Sequence, residues 1–221
     1  MNILKNYILK LYMLFSNNIA HKIWNFCRQA RLKIIRFSIK EKSPQRTILC
    51  NMCLGGVVSH NLNLQFLSPF INLMIPANEY VDLLYNIKNI KEFQLIEEKE
   101  RSRYPIGLLN NKYHIHFLHY NSFSEASYKW YQRTNRMLEP YFIILVETAS
   151  CKYQDLERFD KLPYKNKIAI THKIYPEIKC HQYIRNYDGK NYNGEILHKS
   201  NRLLGSCIYD QIDWVKFLLL K

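Results

Sequence analysis

The run Tyr141-Phe-Ile-Ile-Leu-Val-Glu147, followed by a polar-apolar segment at 153–162 and then Asn166-Lys-Ile-Ala-Ile-Thr171, decides the fold. The first run is apolar almost without interruption, which suits a central strand covered on both faces. Residues 153–162 carry helix spacing, and 166–171 predict another strand. The same alternation extends upstream. Arg46-Thr-Ile-Leu-Cys50 predicts a short strand, and Gly55-Gly56 opens a turn into a helix start at 57–60. Residues 71–75 predict a strand ended by Pro76, and 77–90 a helix with Tyr80, Leu83, Leu84 and Ile87 inward. A strand follows at 92–97. Residues 104–109 and 113–119 read as a hairpin turning at Asn110-Asn111. A helix spans 122–138, with Ser122 as N-cap and Glu125 three residues on. The tail, 209–220, is a final helix or strand. Strands alternating with helices predict an α/β fold: a layered, Rossmann-like sheet with flanking helices.

Upstream of this core the composition changes. The chain has 221 residues and a net charge of +14. Ten of its 32 Lys/Arg and one of its 18 Asp/Glu (Glu41) fall in residues 1–46, a net of +9 there and +5 over the remaining 175. Residues 3–38 read as an amphipathic helix, with Ile3, Leu4, Tyr7, Ile8, Leu11, Phe15, Ile19, Ile23 and Phe26 at three- and four-residue steps and Trp24 alongside. Ser16-Asn17-Asn18 is a place where it would break in two. The chain therefore divides into a basic amphipathic helical arm, 1–45, and a single α/β domain, 46–221. An apolar and basic arm suits an anionic membrane surface; packing on its own domain or on a partner is the alternative. Because the excess charge lies on the arm, a nucleic-acid partner is not expected. A hydrophobic content of 48% excludes a disordered chain, and no uninterrupted apolar stretch reaches the ~18 residues of a spanning helix. With no cleavable leader visible and six scattered cysteines, the expectation is a reduced cytoplasmic protein, peripheral on the inner face of the cytoplasmic membrane.

Five constellations could carry chemistry. Cys50-Asn51-Met52-Cys53-Leu54-Gly55-Gly56 ends the first core strand, where open α/β sheets bind ligands. Asn51, Gly55 and Gly56 are candidates for holding a phosphate at a helix start, a plain tight turn being the alternative. A redox or zinc reading of the C-x-x-C spacing lacks a second such pair. In His114-Ile-His116-Phe-Leu-His119-Tyr120, one strand cannot easily turn all three histidines to one metal, so no metal site is expected and His119 is the cleft candidate. Arg133 and Arg136, three apart on a helix, share a face and could clamp a phosphate; a solvated basic face is the alternative. His172 and Lys173 follow a strand, His172 as a general base and Lys173 as a phosphate partner. In Tyr209-Asp-Gln-Ile-Asp213, Asp210 either orients a hydroxyl or histidine or caps a helix.

Read together, these segments resemble a bacterial family known as domain of unknown function 1919, whose members are often labelled exopolysaccharide biosynthesis proteins. The resemblance covers roughly residues 46–220. It rests on Thr47–Gly56, Leu64-Gln-Phe-Leu-Ser-Pro69, Tyr104-Pro-Ile-Gly107, His116–Tyr120 with Trp130 and Arg133, Leu162-Pro-Tyr-Lys-Asn-Lys167, Thr171-His-Lys173 and Tyr209–Asp213. The family's first motif reads Ser-Asn-Asn-Cys before its glycines; Cys50 and Met52 stand here at its first and third positions. The resemblance implies an α/β fold and a place in capsule, lipopolysaccharide or exopolysaccharide assembly, and it brings no mechanism. The expected function is a glycosyltransferase with a nucleotide sugar as co-substrate, no permanently bound cofactor, and a saccharide or lipid-linked acceptor. His172 or His119 would act as base, and Arg133 and Lys173 would stabilise the leaving phosphate. No D-x-D occurs in the sequence, so the expected mechanism is metal-free. The alternatives are a phosphoryl, acyl or pyruvyl transferase and a non-catalytic membrane-associated scaffold.

Overall fold

The computed structural model describes residues 2–40, 45–99, 102–189, 195–201 and 204–219, with only the backbone described for 2–18 and 40. In chain order the elements are α1 (Asn2–Lys40), β1 (Thr47–Cys50), α2 (Leu54–Asn61), α3 (Ala77–Tyr85), β2 (Leu95–Glu98), β3 (Ile106–Leu109), β4 (Tyr113–His116), α4 (Phe123–Thr134), β5 (Tyr141–Val146), α5 (Tyr153–Asp160), β6 (Lys167–Thr171), β7 (His181–Tyr183), β8 (Lys199–Asn201), β9 (Ser206–Cys207) and α6 (Trp214–Leu218). Strands β1-β5-β6-β7, in that spatial order, form an all-parallel sheet. Strands β2-β3-β4 form a separate antiparallel meander, and β8 pairs with β9. The expected α/β architecture, a parallel sheet flanked by helices with a helix ahead of it, is what the chain adopts.

Strand β5 shows why its sequence is apolar throughout. Successive side chains point to opposite faces. Ile143 and Leu145 enter one core with Tyr80, Phe117, Trp130 and Phe159. Phe142, Ile144 and Val146 enter the other, with Ile48, Ile170, Leu32, Ile39 and Trp214. The first core lies under α3, α4, α5 and the meander; the second lies under α1, α2 and α6.

Helix α1 is part of the second core. Leu32 and Ile39 are buried, and Trp24 and Ile35 pack against the same core. Buried Arg28 pairs with Asp210 and donates to the hydroxyl of Tyr209. The helix backbone lies so close to Gly205 that a Cβ there would sit 2.2 Å from the amide nitrogen of Arg28. At its far end, buried Arg46 donates to the carbonyls of Leu218 (2.9 Å) and Ile39 (3.3 Å), tying α1 to α6. The helix is unbroken at Ser16-Asn17-Asn18. Residues 1–40 contain neither Gly nor Pro, and Ser and Asn each cost only a few tenths of a kcal/mol in a helix, about 0.5. No helix among the described residues is long and apolar enough to cross a membrane.

Residues 71–75 are not a strand. Phe70, Ile71, Leu73 and Ile75 are buried, but Asn72 takes a left-handed φ of 61°, and only Met74 bridges to His116. The segment is apolar because it is a buried connection. The helix expected over 77–90 ends at Tyr85, with a single 3-10 turn, Ile87–Asn89, after it. The hairpin turns at Asn110 (φ 53°) and Asn111 (φ 54°), both left-handed as a type I′ turn requires. Ser122 caps α4, its hydroxyl accepting from the amide of Glu125 at 3.2 Å. The tail resolves into a short 3-10 turn, Ile208–Gln211, and α6.

Candidate active site

All four strands of the parallel sheet end on the same edge, and the residues after them converge there. Asn51 follows β1, Glu147 follows β5 and His172 follows β6. Asn51 is buried, and both ends of its amide are bonded to Val146: Nδ2 donates to the carbonyl (3.0 Å) and Oδ1 accepts from the amide (2.8 Å). It staples the exit of β1 to the end of β5.

Next to that staple lies a buried carboxylate that carries a histidine. Glu147 is 4% exposed. Its Oε2 accepts from the backbone amide of His172 (3.0 Å) and lies 2.7 Å from His172 Nδ1. That ring contact is close, but Nδ1 is not aligned on Oε2 as a hydrogen-bond donor. Oε1 accepts from the hydroxyl of Tyr175 at 2.7 Å, and the backbone carbonyl accepts from the hydroxyl of Tyr187. Burial, and then the bond to Glu147, push the Tyr175 phenol well above its usual range. Burial, and then the Glu147 charge, do the same for Tyr187. Both therefore stay protonated and donate. Gly189, at φ +68°, lies against the imidazole; a Cβ there would be 2.5 Å from Nδ1. The ring is thus held between a carboxylate and a glycine, its side chain 20% exposed. With Nδ1 facing the carboxylate, Nε2 is the nitrogen left to exchange a proton, as in a base oriented by an acid. Lys173, beside it, is exposed, while its carbonyl accepts from the Thr171 hydroxyl at 2.7 Å.

The other expected site residues lie elsewhere or are committed to packing. His119 is exposed beyond β4, and among the described residues no hydrogen bond or ion pair joins it to the sheet edge. Asp210 is not open to a hydroxyl or to a histidine: it is buried against Arg28 and accepts from the Cys207 amide at 2.7 Å. Gly55 and Gly56 are buried at close packing contacts. A Cβ on Gly55 would meet that of Cys50 at 2.7 Å, and one on Gly56 would meet Ile71 at 3.3 Å. The two glycines let α2 press against β1 and the 71–75 connection. Arg133 donates to Tyr120 (2.6 Å) and covers the ring of Phe66, whereas Arg136 reaches Gln132 at 3.5 Å. The two guanidiniums serve different partners and do not form a clamp.

All six thiols are free. Burial raises Cys50 to about 12 and Cys53 to about 11, so neither is a thiolate near neutrality. No cluster of three or more metal-binding side chains occurs among the described residues. His114 pairs with Glu79 (3.0 Å) and lies 3.6 Å from Glu98. A pocket of about 410 Å³ opens on the opposite, amino-terminal edge of the sheet, lined by Tyr141, Tyr164, Lys165 and Asn166 among others. It contains no histidine or cysteine and is remote from the Glu147–His172 pair along the strands.

Glu147 is the candidate residue that motif reading missed. A signal was present: a single acid directly after five buried apolar residues, at the end of a central strand.

Comparison with known proteins agrees in extent with this fold. Residues 17–219 match the family described as Domain of unknown function (DUF1919). The match begins within α1, consistent with that helix closing a core. An uncharacterized protein of Haemophilus influenzae is 37% identical over 172 residues, which cover 77% of this chain and 82% of that protein. The chain belongs to the DUF1919 family.

Proposed function

We propose that the protein is a glycosyltransferase of cell-surface polysaccharide assembly, working in the cytoplasm, with its reaction centre at the carboxyl edge of the parallel sheet. The observation that carries the catalytic part is the Glu147–His172 pair: a buried carboxylate against a partly open imidazole, where α/β sheets bind ligands. The donor class comes from the family resemblance. In the reaction, His172 Nε2 takes the proton of an acceptor hydroxyl. The hydroxyl oxygen forms a bond to the anomeric carbon of the donor sugar. The bond from that carbon to the phosphate oxygen breaks, and the nucleotide leaves with the electron pair, its charge met by Lys173. Glu147 acts through His172, holding its orientation through the backbone amide and the ring contact.

The test is nucleotide release from a panel of nucleotide sugars by the full chain, with and without saccharide acceptors. His172→Ala is expected to lower release by 10²–10⁴-fold, about the range for a positioned base. Glu147→Gln is expected to lower it and to alter its pH profile. Full activity in His172→Ala would remove this assignment.

A second reading, a non-catalytic scaffold, draws on a specific observation. Asn51, Gly55, Gly56 and Arg133, which a phosphate-binding cleft would use, are spent on internal contacts. Binding of no donor by a folded protein would favour it over the transferase.

A further inference from the structure

Helix α1 has two apolar faces, and only one is covered. Trp24, Arg28, Leu32, Ile35 and Ile39 lie on the domain. On the opposite side Ile19 (46% exposed), Ile23 (44%), Phe26 (77%), Ile34 (69%) and Phe37 (67%) are open to solvent, with exposed Ala30 between them. At about 100° per residue these positions fall within one stripe along the helix. Two phenylalanines more than two-thirds exposed on one stripe are beyond the scattered apolar residues of an ordinary surface.

The stripe cannot turn inward. The Arg28–Asp210 pair, the Tyr209 bond and the close approach of Gly205 fix the helix about its own axis. Trp24 adds a bond to the carbonyl of Ser206 (3.4 Å), and Lys199 covers its ring at 4.3 Å.

Charge selects the occupant. Residues 1–40 contain no Asp or Glu. Arg28, Arg31 and Arg36 reach groups on the domain, while Lys22 and Lys33 are exposed and flank one side of the stripe. An apolar stripe bordered by lysines and free of acids matches the boundary between the acyl chains and anionic headgroups of a bilayer. We infer that α1 is an in-plane membrane anchor. It lays Ile19, Ile23, Phe26, Ile34 and Phe37 into an anionic lipid surface while its other face holds the domain.

The test is co-sedimentation of the full chain with vesicles of equal parts phosphatidylglycerol and phosphatidylcholine, and with phosphatidylcholine alone. Binding is expected to the mixed vesicles, to weaken as salt is raised, and to be much weaker on the neutral ones. Phe26→Ser with Phe37→Ser is expected to lower partitioning on the order of tenfold per phenylalanine. Lys22→Glu with Lys33→Glu is expected to remove the preference for phosphatidylglycerol. These side chains face solvent, so unchanged thermal unfolding of the variants shows that the fold is intact. Equal binding by the phenylalanine variant would overturn the inference. So would a wild-type chain that ignores both vesicles but dimerises through the stripe, with the phenylalanine variant monomeric.

Discussion

Among the residues, Asp210 separates two accounts most sharply. As a reacting group it would be dispensable for folding. As the buried partner of Arg28 it holds α1 to the C-terminal segment. Removing one member of a buried pair leaves the other charge uncompensated, at a cost of about 3–5 kcal/mol. Asp210→Asn should therefore lower the unfolding temperature by roughly 10 °C, measured by circular dichroism. Replacing both partners, Arg28→Met with Asp210→Leu, should recover much of that loss. Gly189 gives the converse case, a residue remote in sequence that acts on His172. Gly189→Ala forces a side chain into a left-handed backbone and into the imidazole. It should cost about 1 kcal/mol in stability, yet lower nucleotide release far more than that loss accounts for, by moving the ring off Glu147. Release at saturating donor, alongside thermal unfolding, checks both halves.

Among the elements, the legible ones carried their signals locally. Asn110 and Asn111 take the left-handed conformation of the tight turn between β3 and β4, Ser122 caps α4, and the apolar run of β5 is buried on both faces. Strand β7 and strands β8 and β9 were not legible, because they are two or three residues long and β7 and β8 are largely exposed. Residues 71–75 have the composition of a strand because burial and strand pairing both select apolar residues, and the positive φ of Asn72 tells them apart. Long-range polar contacts were equally hidden. Asp82 on α3 accepts from Tyr113 (2.9 Å) on β4 and from Arg158 (3.1 Å) on α5, and pairs with Lys112. The Lys112 bond first, then the Tyr113 bond and the two cationic charges, outweigh partial burial and hold its carboxyl below the usual range. A carboxyl depressed in the folded state stabilises above its unfolded value, near 3.8, and that contribution is lost as pH falls through the folded value. Acid unfolding of Asp82→Asn should accordingly show a smaller loss of stability below about pH 4 than the parent, read from denaturant midpoints across pH.

For the whole molecule, the two cores decide what counts as a folding unit. The charge imbalance marked residues 1–45 as an arm, and its amphipathic spacing was visible. What the spacing could not show is that the helix has two apolar faces and that one of them closes a core. Each buried Leu or Ile contributes about 1.5–3 kcal/mol, against a net stability of about 5–15 for a domain. A chain beginning at Arg46 loses Leu32, Ile39 and the Arg28 pair together. It should unfold at markedly lower temperature or fail to fold, as proteolysis and calorimetry would show. The candidate site was half legible for a related reason. His172 and Lys173 were legible as candidates because they follow a strand, and strand ends are where α/β sheets bind ligands. Asp210, Gly55 and Gly56 were polar or small for packing reasons that sequence spacing does not distinguish from ligand binding. The central claim, that the Glu147–His172 edge binds an activated sugar, is tested most directly by thermal unfolding of the full chain with nucleotide sugars and free nucleotides. At ~100 times its dissociation constant a ligand stabilises by about 2.7 kcal/mol, a rise of roughly 5–10 °C for a domain of this size. The account predicts that rise with a nucleotide sugar, and a smaller one in Lys173→Ala. No rise with any of them, from a folded sample, would contradict it.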